Sequence, residues 1–346
     1  MYSRLSTALS LSFLLLAGPV LADPPKLTLD VASTFPTGMP LIGEGAAVLA
    51  AKVERVSGGE VIVKVHEPGA LVRAADTVKA VGEDRVAAAW AGAGWFAGTD
   101  PAFNMFSSVP FGPGIGEYMG WMYQGGGLEA ARALFHAENI HNIPCAVIPP
   151  EASGWFSKEI KTLEDLKGLK MRFFGLGAKV MEKLGVVTQQ LPPGDIPEAF
   201  RTGKIDAAEF SLPSMDLAFG FHKFAKYYYF PGWHQQATFF DLYINKTKWD
   251  GLSERQKAAF EYACADSIRE SIARGEAMQG EAIKALQANG VILRRWPPEI
   301  LAAFEAAWNE VAAEEAKKSA NFERIYASYT AFRASYSVWN YLGYVQ

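Results

Sequence analysis

Two stretches of this chain each run strand, helix, strand, helix, strand, a succession that admits few architectures other than a mostly parallel sheet covered on both faces. In the first stretch Lys26 to Ala32 alternates and then turns apolar before the turn-forming Pro36, Gly38 and Pro40, which predicts a strand and a loop. Leu41 to Val56 repeats apolar residues at helical spacing until Ser57-Gly58-Gly59 ends the run, and Glu60 to His66 has a period of two. Asp76 to Val81 reads as a short helix and Val86 to Ala91 as a buried strand. The pattern returns with strands over Pro144 to Ile148, Lys170 to Phe174, Val186 to Gln190 and Ile205 to Phe210. Helices at Leu163 to Leu166, at Ala178 to Leu184 and a third ending at Arg201 separate them.

Past residue 250 the signal becomes helical. Ser253 is a good N-cap for a helix from Glu254 to Arg274 with Gly275 just beyond it, and Ile300 to Lys317 follows Pro297-Pro298. The tail from Phe322 to Tyr344 is rich in Tyr, Phe and Trp, so it is expected to pack across both units or onto a second subunit. The expected division is a signal peptide over residues 1–22, an α/β domain I over 23–143 plus 211–248, an α/β domain II over 144–210 plus 249–300, and a helical C-terminal segment over 301–346.

The first residues carry one positive charge at Arg4, an apolar run from Leu9 to Leu16, a Gly18-Pro19 break and small residues ending at Ala22. This is the pattern of a secretory signal peptide cleaved before Asp23, and it predicts export to the periplasm. The run is too short to span a bilayer, and no later segment offers about twenty consecutive apolar residues. With a formal net charge of −4 and no basic cluster, nucleic acid and anionic membrane surfaces are not expected partners. The only cysteines, Cys145 and Cys264, sit among apolar neighbours and are expected to be buried free thiols.

Enzymatic signatures are missing: the chain has no Gly-x-Ser-x-Gly elbow, no His-Glu-x-x-His helix and no Walker loop. The clusters Gly112-Gly114-Gly116, Gly125-Gly126-Gly127 and Gly175-Gly177 lack dinucleotide spacing and read as loops. His136 and His141 are expected at the surface. Charged and aromatic residues at strand ends are more telling. Arg172 lies inside the apolar run Met171-Arg172-Phe173-Phe174, where a guanidinium needs either an anionic ligand or a structural carboxylate. Glu209 closes another strand and is placed to hold a cation, orient a ligand hydroxyl or pair with Arg172. Trp233, His234 and Gln235 follow a Pro-Gly turn in a segment too aromatic for an ordinary loop.

The segment from Ser157 to Arg172 (SKEIKTLEDLKGLKMR) resembles the most characteristic stretch of the periplasmic solute-binding proteins of TRAP transporters. Further matches are Pro101-Ala102-Phe103, Val109-Pro110-Phe111-Gly112, the glycine run at Gly125, Asp206-Ala207-Ala208-Glu209 and Tyr227 to Trp233. Within that family the chain is most similar to the branch that binds 2-oxo or 2-hydroxy monocarboxylates, such as pyruvate or lactate, together with a metal cation. The resemblance implies a two-domain periplasmic binding protein fold with a long bracing helix, no enzymatic activity, and TRAP membrane subunits as partners. It also implies a homodimer through an exchanged C-terminal helix.

By the same resemblance Arg172 holds the substrate carboxylate, while Trp155, Trp233, Trp95, Phe210 and Glu151 complete the substrate site. Sodium or calcium would be held by Glu209, the backbone at Phe210, and the positions of Glu151 and Gln235. At those last two the relatives carry a glutamine and a glutamate, so the amide and the acid have changed places. Phe210 replaces a tryptophan and Gly94 an aromatic residue, both of which imply a larger pocket. The alternatives are a larger or aromatic carboxylate bound without metal, a receptor serving a sensor kinase, or an exported hydrolase or lyase using Glu209 and His234.

Overall fold

The computed structural model describes residues 26–345, so the expected signal peptide lies outside the described residues. The strands are β1 (Leu27–Ser33), β2 (Val61–His66), β3 (Ala88–Ala91), β4 (Ile140–Ile148), β5 (Gly154–Phe156), β6 (Lys170–Arg172), β7 (Val187–Gln189), β8 (Ala207–Ala208), β9 (Tyr227–Phe230), β10 (Thr238–Asn245) and β11 (Ile292–Arg295). They form two sheets, ordered β2-β1-β3-β10-β4 and β11-β9-β5-β8-β6-β7. The sheets are mixed, not mostly parallel as expected: β10 runs antiparallel to β3 and β4, and β5 antiparallel to β8 and β9. Both exceptions arise where the chain passes straight from one sheet to the other, from β4 into β5 and from β9 into β10. No crossover helix intervenes there to turn the strand parallel.

Sheet membership moves two segments relative to the expected domain ranges. Residues 144–148 finish β4 in the first sheet, and Tyr227–Phe230 pairs in the second.

The α-helices are α1 (Ile42–Ser57), α2 (Thr77–Gly82), α3 (Ile115–Gln124), α4 (Gly127–Ala137), α5 (Gly175–Lys183), α6 (Ile196–Arg201), α7 (Pro213–Phe219), α8 (Lys246–Asp250), α9 (Glu254–Ala288), α10 (Pro298–Lys318) and α11 (Ala320–Gly343). The capping box of Ser253 and Gln256 opens α9. Its 35 residues give a rod of about 50 Å at 1.5 Å per residue, long enough to lie along both sheets. It runs straight through Gly275 instead of stopping there. A Cβ at that position would sit 2.6 Å from Pro149 Cδ, so the glycine permits close approach of helix and chain crossing.

Three of the ties that hold α9 in place bear on the site and on the sequence reading. Ser271 Oγ donates to Val147 O and accepts from Val147 N, which satisfies backbone of the edge strand β4. Gln279 Nε2 donates to Ser214 Oγ on α7. The third overturns the expected free thiols: Cys145 on β4 and Cys264 on α9 form a disulfide. Both cysteines are buried in apolar surroundings, as expected, but burial brought them face to face.

His141 also departs from expectation. It is buried on β4, stacked on Trp249 at 4.1 Å, with Nδ1 3.1 Å from His136 Nε2. Burial and the nearby Arg132 and His136 push its pKa down to about 3.

The last two helices clasp the body. Lys183 on α5 pairs with Glu314 on α10, while Arg333 on α11 donates to Glu117 on α3 and to the Phe111 carbonyl. Phe322, Ile325 and Tyr329 of α11 are buried, but its end carries Val338, Trp339, Tyr341 and Leu342, each more than half exposed. None of the described helices is long and apolar enough to cross a membrane.

Candidate binding site

The site forms where strand ends of the second sheet meet the two chain crossings. Parallel pairing of Arg172 with Ala208 sets the guanidinium beside the following residues, Glu209 and Phe210. The crossing at 149–153 brings Glu151 and the crossing at 231–237 brings Trp233, His234 and Gln235. These crossings touch: Glu151 N donates to Gln235 O, and a Cβ on Gly232 would sit 2.1 Å from Glu151 O. Only glycine fits there.

Between the sheets lies a narrow cavity with about 30 Å³ of free space for water-sized groups. Its walls include Arg172, Glu151, Gln235, Trp95 and Phe210, together with Phe35, Phe174, Phe240, Ser211 and Thr238. A single water needs roughly 10–15 Å³, so the space suits a ligand of a few heavy atoms.

Trp155 and Trp233 are not among the lining residues. The Trp155 indole is fully buried, stacks on Tyr228 at 4.0 Å and donates to Asp216 Oδ2 at 2.7 Å. Trp233 stacks on Phe111 and packs against Phe304. The expected enlargement at Gly94 is absent because the Phe174 ring fills that space.

Arg172 is 3% exposed, and of its two sequence alternatives the structure shows the structural carboxylate. Nη1 donates to Glu209 Oε2 at 2.8 Å and to Glu209 O at 2.7 Å, and Nε donates to Leu191 O. Nη1 and Nε are thus engaged by protein while the guanidinium lines the cavity.

Beside it lie buried acceptors outside close hydrogen-bond geometry: Glu151 Oε2, Glu209 Oε1 and Gln235 Oε1. His234 Nε2 lies 3.4 Å from Glu209 Oε1 and 3.7 Å from Glu151 Oε2. Burial pushes the His234 pKa down, yet Glu151 and Glu209 outweigh it and hold the ring up at about 9. Burial raises the Glu151 carboxyl, opposed by His234. Ligand atoms of Glu151, Glu209 and His234 all lie within 4.8 Å of one another. Buried carboxylate oxygens of Glu151 and Glu209 facing one imidazole within 4.8 Å form a donor set that fits a cation.

Asp216 supports the site from behind, accepting from Trp155 Nε1 and from Tyr228 Oη at 2.7 Å. Burial lifts its pKa from the ordinary 3.8 to about 8 against those two donors. The folded chain therefore keeps a proton that the unfolded chain releases near pH 4, and this group opposes folding increasingly as pH rises toward 8. Asp216→Asn is expected to flatten the fall in stability over that window. Urea midpoints at several pH values check it; an undiminished fall in the variant would contradict it.

Sequence reasoning missed Phe35, Phe174 and Phe240 as walls. Phe35 lies two residues past the end of β1 and Phe174 two residues past Arg172, so the strand-end position that singled out Arg172 and Glu209 applied to them too.

Two α/β units enclosing a small polar-and-aromatic cavity define a solute receptor. The sequence pattern of the bacterial extracellular solute-binding proteins, family 7, matches residues 33–319, and the chain belongs to that family of TRAP solute receptors. It is 35% identical over 296 residues, 86% of this chain and 81% of the other, to a protein of Nostoc sp. described as a monocarboxylate 2-oxoacid-binding periplasmic protein. A TRAP solute-binding protein of Bordetella bronchiseptica, with calcium and picolinate in one of its active sites and seen as a dimer, superposes with a TM-score of 0.90. It shares 32% identity and covers 92% of this chain and 95% of its own. A protein of Pseudoalteromonas atlantica with bound sodium and pyruvate superposes with a TM-score of 0.88 at 28% identity, covering 92% and 97%.

Proposed function

We propose that the chain is a periplasmic receptor that binds a small 2-oxo or 2-hydroxy monocarboxylate, pyruvate being the reference case, and delivers it to TRAP membrane subunits without chemical change. The observation that carries this reading is a buried guanidinium lining a cavity of about 30 Å³ beside buried acceptor oxygens of Glu151, Glu209 and Gln235. Arg172 takes the carboxylate. Glu209, Glu151, Gln235 and the Phe210 backbone hold sodium or calcium, which supplies positive charge to the ligand's 2-oxygen. Trp95 and Phe210 exclude water from its apolar end. The similarity to relatives that bind 2-oxoacids, pyruvate or picolinate supports the ligand class. A disulfide between two buried cysteines agrees with an oxidising compartment. The units built on the two sheets close over the ligand by hinging at the chain crossings.

Isothermal titration with pyruvate, in calcium and in chelator, tests the reading. Binding in calcium that weakens at least about tenfold in chelator and sodium-free buffer is expected, a coupling of about 1.4 kcal/mol. Equal affinity in both would remove the cation from the account.

The exposed end of α11 supports a homodimer, since clustered Val338, Trp339, Tyr341 and Leu342 form an apolar surface that a second copy would cover. A Trp339→Ser/Leu342→Ser variant is expected to be a monomer by light scattering where the parent is a dimer; identical masses would contradict this.

A further inference from the structure

Gly94 follows β3 of the first sheet, and Phe174 follows β6 of the second. A Cβ added to Gly94 would lie 2.6 Å from Phe174 Cζ and 2.9 Å from Cε1, closer than atoms can approach. The Phe174 ring therefore reaches across from one sheet's unit into a notch that exists because residue 94 has no side chain. There it packs on Trp95, ring centres 5.3 Å apart, and both rings line the cavity. Its backbone is fixed as well, because Phe174 N donates to the same Glu209 Oε2 that accepts from Arg172 Nη1. Ring, notch and anion anchor are thus mechanically joined.

We infer that Gly94 and Phe174 form a pair that sets ligand size: the ring seats in the notch as the two units meet, closes one wall of the cavity, and restricts the ligand to short acids. This rests on the carboxylate reading given above. An acid with a bulky 3-substituent would have to displace Phe174 from its packing on Trp95. The pair also joins the two units, since the ring belongs to one and its notch to the other.

The test compares pyruvate and phenylpyruvate by isothermal titration on the full chain. Phe174→Ala is expected to raise affinity for phenylpyruvate relative to pyruvate by at least about tenfold, the lower end of what an altered apolar wall discriminates. Gly94→Phe, which blocks the notch, is expected to weaken pyruvate binding by about tenfold or more, and Gly94→Phe/Phe174→Gly to recover it to within about threefold. Gly94→Ala serves if the larger side chain prevents folding, with the same direction of effect. An unchanged ratio in Phe174→Ala, or a double variant no better than Gly94→Phe, overturns the pair. If the parent chain takes up neither acid, the ligand reading fails by itself. The pair is then judged from ligand-free melting: Gly94→Phe lowers the midpoint and the second substitution restores it, whereas additive losses refute it.

Discussion

Arg172→Met is expected to lose acid binding by a factor between about thirty and several thousand, the 2–5 kcal/mol typical of truncating a buried, hydrogen-bonded charge. The same substitution strips Glu209 of its guanidinium partner and leaves His234 Nε2, at 3.4 Å, as the cationic group beside it. Glu209 is fully buried, so a stability loss of about 3–5 kcal/mol should accompany the loss of binding. Binding and folding are separable by a second change. In Arg172→Met/Glu209→Gln no carboxylate is left uncompensated, so the melting temperature should recover while affinity does not. A double variant that regains affinity would show that the guanidinium serves the fold alone.

The second large effect belongs to the disulfide. Cys145 and Cys264 are 119 residues apart, and closing a loop of that length lowers the entropy of the unfolded chain by an amount worth about 4–5 kcal/mol in the chain-entropy account. Cys145→Ala/Cys264→Ala should therefore unfold at a markedly lower urea concentration. The unreduced, denatured parent should show no free thiol. Two reactive thiols there, or equal midpoints, would contradict the pairing.

Periodicity and turn residues made the two α/β units legible, because each strand or helix buries a face whose spacing is written locally. Strand direction was not legible: β5 and β10 carry nothing in their own residues that says which sheet receives them. The same limit explains Cys145 and Cys264, whose apolar neighbours signalled burial but not a partner across 119 residues. Gly275 looked like a helix stop since only the packing of Pro149 against it reveals its use.

In the site, Arg172 and Glu209 stood out as charges in apolar strands, and the structure brings them together at 2.8 Å. Trp155 was expected in the site only through the family resemblance, but successive strand residues face opposite sides. Its register with Ala208 and Tyr228 turns the indole to Asp216 in the core. Phe174 went unnoticed because its place in the wall depends on Gly94, a residue 80 positions earlier whose contribution is empty space.

A crystal structure of the protein grown with pyruvate and calcium probes the account where it is most exposed. The carboxylate should lie within hydrogen-bond distance of Arg172 Nη2, with the ligand's 2-oxygen turned toward Glu151, Glu209 and Gln235. A guanidinium wholly engaged by Glu209 and other protein groups, with the acid bound elsewhere or nowhere, would contradict it.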